Sequence, residues 1–325
     1  MIAIVIPFYQ QTAGLLRRAL QSVLDQRGPS DWLIYVVDDG SPAPAEAELA
    51  AFPQGFAQNI RVLRQKNAGP AAARNLALDC LDADITAVAF LDSDDAWQPN
   101  HLANVRTTFS GGAEFYFSDH RREEDHESRF AQCAFRPDGP RIPTDASESI
   151  RWCGSQTLFR AVVLRSPVGT STVAVRRARI GTKRFPTGFR AAGEDSIFWL
   201  QILAADPLVA CSEHNEVAYG RGVSIFNHRS WGDTRALKTI LDQMRAQRYL
   251  RKHFQLDRAL SATGARQCRD LDLAFCTALL ACGRRLQYAA AGPATRYLGT
   301  RPLALMQLPK ALSCAVRRKR EQRMP

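Results

Sequence analysis

The densest chemistry in the sequence lies in ten residues. Val88-Ala89-Phe90-Leu91 runs directly into Asp92-Ser93-Asp94-Asp95, followed by Ala96-Trp97. The short apolar run reads as a buried strand. Carboxylates at its carboxyl end would stand in the crevice where open α/β sheets bind ligands. Three acidic groups so close repel one another, so a positive partner is expected among them. Asp92 and Asp94 are alternate residues of an extended segment and point the same way. Their hard oxygens suit Mg²⁺ or Mn²⁺, and Mg²⁺ usually takes one or two carboxylates together with substrate phosphates. The motif admits two readings, a metal–diphosphate site or a solvated acidic turn. A second acidic pair, Glu194-Asp195, follows Gly193 and precedes Ile197, Leu200, Leu203 and Ala204 at helical spacing. It therefore sits at a helix N-terminus, where carboxylates also serve simply as caps.

The elements that would position these groups alternate. Residues 2–6 form a β-branched apolar run ended by Pro7. Leu15, Leu16, Ala19, Leu20, Val23 and Leu24 mark a helix stopped by Gly28-Pro29. Leu33-Ile34-Tyr35-Val36-Val37 is a second strand entering Asp38-Asp39-Gly40-Ser41, and 60–63 is a third. Asn67-Ala68-Gly69-Pro70 is turn chemistry before a helix over 71–81, and the strand 88–91 follows. Strands alternating with helices imply βαβ crossovers and a mostly parallel sheet. Asp119-His120-Arg121-Arg122-Glu123-Glu124-Asp125-His126-Glu127 reads as a solvated loop, and Thr172-Val173-Ala174-Val175 as a further strand. The spacing predicts a basic amphipathic helix over 234–254, with Leu237, Ile240, Leu241 and Met244 on one face, and another helix over 268–290.

With 325 residues, 46% hydrophobic and 23% charged, the chain has ample length for a core. The net charge of +11 is uneven: residues 226–325 hold 20 Lys and Arg against 6 Asp and Glu, whereas 1–225 carry a net −3. No run approaches the ~20 apolar residues of a spanning helix. The opening residues lack a basic signal-peptide region and the eight cysteines show no paired spacing, so a cytoplasmic setting with reduced thiols is the expectation. Six histidines form no zinc-ligand pair.

Five stretches together resemble a known family, the family 2 inverting glycosyltransferases of the GT-A fold. They are Val5-Ile6-Pro7-Phe8-Tyr9-Gln10, where Gln10 stands at a position usually Asn, Val36-Val37-Asp38-Asp39-Gly40-Ser41, Asn67 to Asn75, Phe90 to Asp95, and Gly193-Glu194-Asp195 with Trp199. The resemblance covers about residues 1–225 and is thin over 119–170. It implies a GT-A-like, mostly parallel α/β sheet flanked by helices, with a nucleotide-binding half (1–118) and an acceptor and catalytic-base half (119–225). A basic helical C-terminal region (226–325) follows.

The resemblance also implies roles. Pro7 and Tyr9 would line the nucleobase pocket, and Asp39 would accept a hydrogen bond from a uracil N–H. Arg74 would lie near the phosphates or brace the site. Asp92 would contact the ribose and join Asp94 at the Mg²⁺ or Mn²⁺, with Asp95 behind them. Asp195 would be the general base with Glu194 beside it, and Arg221 would face the diphosphate. His228 is offset from the family's usual histidine. This inventory matches what sugar transfer from a nucleoside diphosphate requires, namely charge stabilisation on the leaving group and a base for the acceptor hydroxyl. The expected partners are a nucleotide-sugar donor and a saccharide or lipid-linked saccharide acceptor in cell-surface polysaccharide or glycolipid synthesis.

Two alternatives are weaker. A sugar-phosphate nucleotidyltransferase wants a glycine-rich basic loop after the first strand, where Pro7-Phe8-Tyr9-Gln10-Gln11-Thr12 stands. A nucleic-acid-binding protein would fit the basic last third but not the strand-end carboxylates, and no aromatic-interleaved basic motif accompanies them, so no nucleic acid is expected. The basic tail itself either holds the enzyme peripherally on an anionic membrane surface or caps the catalytic domain.

Overall fold

The computed structural model describes residues 1–11, 13–122, 125–143, 149–189, 192–220, 234–284 and 287–313. The chain divides into two compact units, one of residues 1–190 and 194–224, the other of 191–193 and 225–325.

The first unit is built on one mixed sheet. Its strands are β1 (Ile2–Phe8), β2 (Trp32–Asp38), β3 (Ile60–Arg64), β4 (Ala87–Phe90), β5 (Ala96–Trp97), β6 (Phe115–Arg121), β7 (Ile150–Cys153), β8 (Ala174–Arg176) and β9 (Val209–Ala218). They run in the order β3-β2-β1-β4-β8-β6-β9-β5, with β7 also paired to β9. The half β3-β2-β1-β4 is parallel throughout, as the alternation of strands and helices predicts. Beyond it the parallel character breaks, because β8 is antiparallel to both β4 and β6.

Every residue of β1 and β2 is buried, which explains why they read as unbroken Val/Ile runs rather than as an alternation. Pro7 does not end the first strand, which continues to Phe8. The Val5 carbonyl accepts from Leu91 N and the Phe8 carbonyl from Asp39 N, so Pro7 faces the β4 side. Pairing with β4 stops at Val5, and the missing N–H of proline therefore breaks no ladder bond.

The helix Leu15–Leu24 buries Leu16, Ala19, Leu20 and Val23, but it has no capping side chain of its own. Glu48 supplies one from a distance: its carboxylate accepts from Gly14 N at 2.9 Å and Arg17 N at 2.8 Å, and from the Gln10 amide. Gln10, the departure from the usual Asn, thus serves to hold this remote cap. The helix Pro70–Asp79 starts with proline at its first turn, where no N–H is needed.

The charged run at 119–127 is only partly a solvated loop. Its first three residues belong to β6, with Asp119 and His120 buried. Asp119 accepts from the amides of His120 and Phe130 at 2.8 and 2.9 Å, which satisfies a carboxylate that composition alone places in water. The strand expected at 172–175 begins two residues later, after a 3₁₀ turn at Thr170–Thr172.

A second buried polar cluster lies under β9. Glu216 accepts from Tyr116 Oη at 2.7 and 2.8 Å and from Asn104 Nδ2 at 2.7 Å, and pairs with His101 Nδ1 at 2.9 Å. It fastens the helix His101–Ser110 to β6 and β9.

The second unit is helical, with helices Thr234–His253, Arg258–Arg284 and Ala291–Thr300. The expected amphipathic face is buried: Leu237, Leu241 and Met244 pack in a core with Cys268, Phe275 and Tyr297. The helix expected at 268–290 begins ten residues earlier and stops at Arg284. Phe275 stacks on Tyr297 at 4.1 Å, and Asp272 accepts from Tyr297 Oη at 2.9 Å and from the Arg301 guanidinium. The seven cysteines among the described residues are all free, and no helix there is long and apolar enough to cross a membrane.

Glu216→Ala should destabilise the first unit by about 3–5 kcal/mol, because three buried polar partners lose their acceptor together. Urea unfolding followed by tryptophan fluorescence measures this, and a loss below about 1 kcal/mol would contradict the network's role.

Candidate active site

The three carboxylates after β4 are not a solvated turn. Asp95 is buried, accepting from Ser171 Oγ at 2.5 Å and from Gly220 N at 2.9 Å. Burial and the adjacent Asp92 and Asp94 push it well above the ordinary carboxylate range. Asp94 is pushed up to about 6, first by burial and then by Asp92, with Arg18 and Arg122 acting in the opposite direction. Asp92 accepts from Arg74 Nη2 at 2.6 Å, and its backbone N–H donates to Ser171 Oγ at 3.0 Å.

The positive partner that these repelling groups call for is Arg74. The helix Pro70–Asp79 carries it into the crevice, where it is 3% exposed and stands over the Phe185 ring. Its Nη1 lies 3.6 Å from Glu194 Oε1, so one guanidinium touches both acidic segments. Burial would lower its pKa, but Asp92 and Glu194 outweigh that and leave it raised. Among the described residues its buried Nε and Nη1 make no hydrogen bond, so its charge is balanced by the ion pairs to Asp92 and Glu194.

The helix Glu194–Leu203 begins at the second acidic pair and is anchored by Ile197, Phe198, Trp199 and Leu200, all buried. Glu194 is pushed up to about 7 by burial and by Asp195, against the pull of Arg74. Asp195 takes Ser196 N at 2.6 Å on one oxygen and Thr170 Oγ1 at 3.3 Å on the other. Neighbouring hydroxyls of one 3₁₀ turn, Thr170 and Ser171, therefore hold the two acidic segments. Trp97 Nε1 fixes that turn by donating to the Ser171 carbonyl at 2.7 Å.

At the end of β9, Tyr219 packs against His120 with ring centroids 4.7 Å apart, and its buried hydroxyl has no hydrogen-bond partner among the described residues. Burial, then Asp95 and Asp92, keep that phenol well above its ordinary pKa, and burial with Arg129 and Arg122 lowers His120 to about 3. Close approach explains two glycines here. A Cβ on Gly220 would fall 1.7 Å from the Asp94 carbonyl, and one on Gly169 would fall 1.9 Å from Tyr219 Oη.

Asp39 stands one residue past β2 and accepts from Gln65 Nε2 at 2.7 Å and from the Ala68 and Gly69 amides at 2.8 Å each. Among the described residues its Oδ2 has a single donor, Gly69 N, so that oxygen keeps acceptor capacity. Asp38 instead closes its own turn by accepting from Ser41 N at 2.7 Å. Pro7 is buried at the end of β1 and Tyr9 is half-buried just beyond it. Arg221 and His228 lie outside the described residues. Sequence reasoning missed Thr170, Ser171, Tyr219 and Gly220. A run of small hydroxyl residues before a strand and a Tyr-Gly pair after one are too common to single them out.

The acidic groups offer hard oxygens without histidine or thiolate, a donor set for Mg²⁺ or Mn²⁺ rather than zinc. Among the described residues no three such side chains converge as a complete cage. A site of one or two carboxylates that leaves positions for phosphate oxygens fits that arrangement.

Residues 3–164 match the family described as Glycosyl transferase family 2. Succinoglycan biosynthesis protein ExoW of Rhizobium meliloti (strain 1021) is 32% identical over 241 residues, spanning 70% of this chain and 70% of the relative. Minor teichoic acid biosynthesis protein GgaA of Bacillus subtilis (strain 168) is 34% identical over 111 residues, spanning 34% of this chain and 25% of the relative. Among solved structures, S. aureus TarS 1–349 in complex with UDP-GlcNAc aligns over 93% of this chain and 81% of its own, with a TM-score of 0.55 and 16% identity. Mannosyltransferase PcManGT of Pyrobaculum calidifontis, in complex with GDP-Man and Mn²⁺, aligns over 97% and 86%, with a TM-score of 0.54 and 16% identity. At these identities the structural likeness concerns the fold.

The raised Asp94 carries a pH signature. Its protonated form is favoured in the fold, so this contribution to stability is fully present below its ordinary value of 3.8 and is lost as pH rises through about 6. With divalent cations chelated, Asp94→Asn should therefore be more stable than wild type at pH 8 by on the order of 2 kcal/mol. That advantage should disappear near pH 4. Urea unfolding at both pH values tests this, and a difference that does not change with pH would refute the assignment.

Proposed function

This chain belongs to glycosyl transferase family 2, and we propose that it transfers a sugar from a UDP-sugar to a hydroxyl of a saccharide or lipid-linked saccharide, with inversion, during synthesis of a cell-surface polysaccharide. The names of the relatives, for succinoglycan and teichoic acid biosynthesis, support the pathway class. The UDP-GlcNAc complex of a protein sharing the fold supports the donor class. The observation that carries the chemistry is the convergence, on the single guanidinium of Arg74, of the strand-end carboxylates and the Glu194-Asp195 pair.

In this reading Pro7 and Tyr9 flank the nucleobase, and the free acceptor capacity of Asp39 Oδ2 takes the uracil N–H. Asp92 contacts the ribose and, with Asp94, holds Mg²⁺ or Mn²⁺. When bound, that ion neutralises charge on the leaving diphosphate. Arg74 balances the carboxylates at the same end of the crevice, and Arg221 is assigned to the diphosphate. Asp195 takes the proton of the acceptor hydroxyl while that oxygen bonds to the anomeric carbon from the face opposite the departing diphosphate. The products are the inverted glycoside and a nucleoside diphosphate, and no covalent enzyme intermediate forms. Glu194, raised to about 7 and tied to Arg74, keeps the negative charge beside Asp195 in check.

Asp195→Asn separates a base from a helix cap, because Asn is among the best capping residues but cannot take a proton at neutral pH. Turnover should fall by roughly 10²–10⁴ while donor affinity by calorimetry stays within about twofold, since the nucleotide contacts lie elsewhere. Turnover within a few-fold of wild type, in a variant that still binds donor, would move the role to Glu194.

Metal dependence is tested separately. Chelation with EDTA should abolish release of nucleoside diphosphate, and added Mn²⁺ or Mg²⁺ should restore it. Full activity in chelator would sink the metal reading while leaving the base assignment intact.

A further inference from the structure

The basic amphipathic helix Thr234–His253 has no apolar face to offer a partner. Leu237, Leu241 and Met244 are at most 4% exposed, packed within their own unit. The outward apolar surface lies elsewhere. Seven large hydrophobic residues are exposed among those described, and four of them fall within ten positions: Leu303 at 73%, Leu305 at 39%, Met306 at 73% and Leu312 at 46%. This segment is a 3₁₀ turn at Pro302–Gln307 that continues as helix through residue 313.

Its patterning is inverted for a solvent-facing helix. Ala304 and Ala311 point into the core, with Leu308 packed against it, while the larger Leu303, Met306 and Leu312 point out. A helix whose only purpose is to cover a core puts its large apolar residues inward. The charge of this part of the sequence is one-sided. Between Asp272 and Glu321 there is no acidic residue, and that stretch holds nine Lys and Arg.

We propose that the face carrying Leu303, Met306 and Leu312 docks on an anionic lipid surface, with these side chains entering the headgroup region and the exposed Arg296 and Lys310 of the same stretch pairing with lipid phosphates. An apolar insertion flanked by cations, without acidic residues, is the composition of an element that lies on a bilayer rather than across it. Among the described residues no helix is built to cross one. A second copy of the chain fits the face less well, because a two-fold contact would bring the same positive stretch against itself. Nucleic acid would pair with the cations but has no use for exposed Leu and Met side chains in place of stacking aromatics. The inference is independent of the reaction proposed above.

The test is co-sedimentation of the full chain with vesicles of phosphatidylcholine alone and of phosphatidylcholine mixed with phosphatidylglycerol. Binding to the anionic vesicles should exceed binding to neutral ones at least about tenfold and weaken with salt. Leu303→Ser combined with Met306→Ser should reduce it about tenfold or more, since two large apolar side chains no longer leave water. Unfolding midpoint and turnover on a soluble acceptor should be unchanged. Leu303→Trp should strengthen anionic binding, which keeps the test open if the double variant folds poorly. Equal binding to both vesicles, binding to neither, or a folded double variant that binds like wild type would overturn the proposal. So would a concentration-dependent dimer that the double substitution abolishes, because it would assign the face to a second copy.

Discussion

The site depends on one buried cation. Asp92, Asp94, Asp95 and Glu194 crowd into one crevice, where burial and like charge make Asp94, Asp95 and Glu194 resist ionisation, and Arg74 is the guanidinium in direct contact with both acidic segments. A carboxylate taken out of water without a partner neutralises itself or drives the structure apart. The helix that delivers Arg74 is the crossover between β3 and β4, and its start is fixed by the amide of Gly69 on Asp39. Asp39 therefore takes part twice, as a nucleobase acceptor in the proposed reaction and as the anchor of the helix that carries the balancing charge.

Two hydroxyls do for geometry what Arg74 does for charge. Ser171 links to both Asp92 and Asp95, and Thr170 links to Asp195. The metal-side and base-side carboxylates are thus spaced by one short 3₁₀ turn, pinned by Trp97. Such spacing by neutral groups adds no charge to a site that already has too much of one sign, and it leaves the carboxylate oxygens with capacity for ligands.

The parallel half of the sheet was legible because its strands are buried on both faces and so read as unbroken Val, Ile and Leu. The strand-end position of Asp92 and Asp94, and the helix-start position of Glu194 and Asp195, followed from the same periodicity. What stayed hidden is what tertiary pairing decides. β6 contains Ser118, Asp119 and His120, which look like loop residues until Asp119 finds the amides of His120 and Phe130. β9 includes Glu213, His214, Asn215 and Glu216, and its register with β6 is broken by a bulge near Asp119, so neither alternation nor a continuous apolar run marks it. Ser171, Tyr219 and Gly220 are residue types found in any loop. Their importance comes from an approach between segments 76 to 125 positions apart in the chain, which no local pattern encodes.

The reversed strand at the centre of the sheet has a consequence for any shortened form of the chain. A fragment cut after the helix Ser155–Leu164 would contain β1 to β4 and the complete strand-end carboxylate motif, and would pass as a nucleotide-binding half. It would also lack β8, the strand that covers the far side of β4 through Ala87, Val88 and Ala89. That edge is apolar, uncharged and free of proline, so its open N–H and C=O groups would form a template for strands of other molecules. The three residues of β8 thus act as a guard on the sheet, closing an edge that would otherwise recruit copies of itself into aggregates.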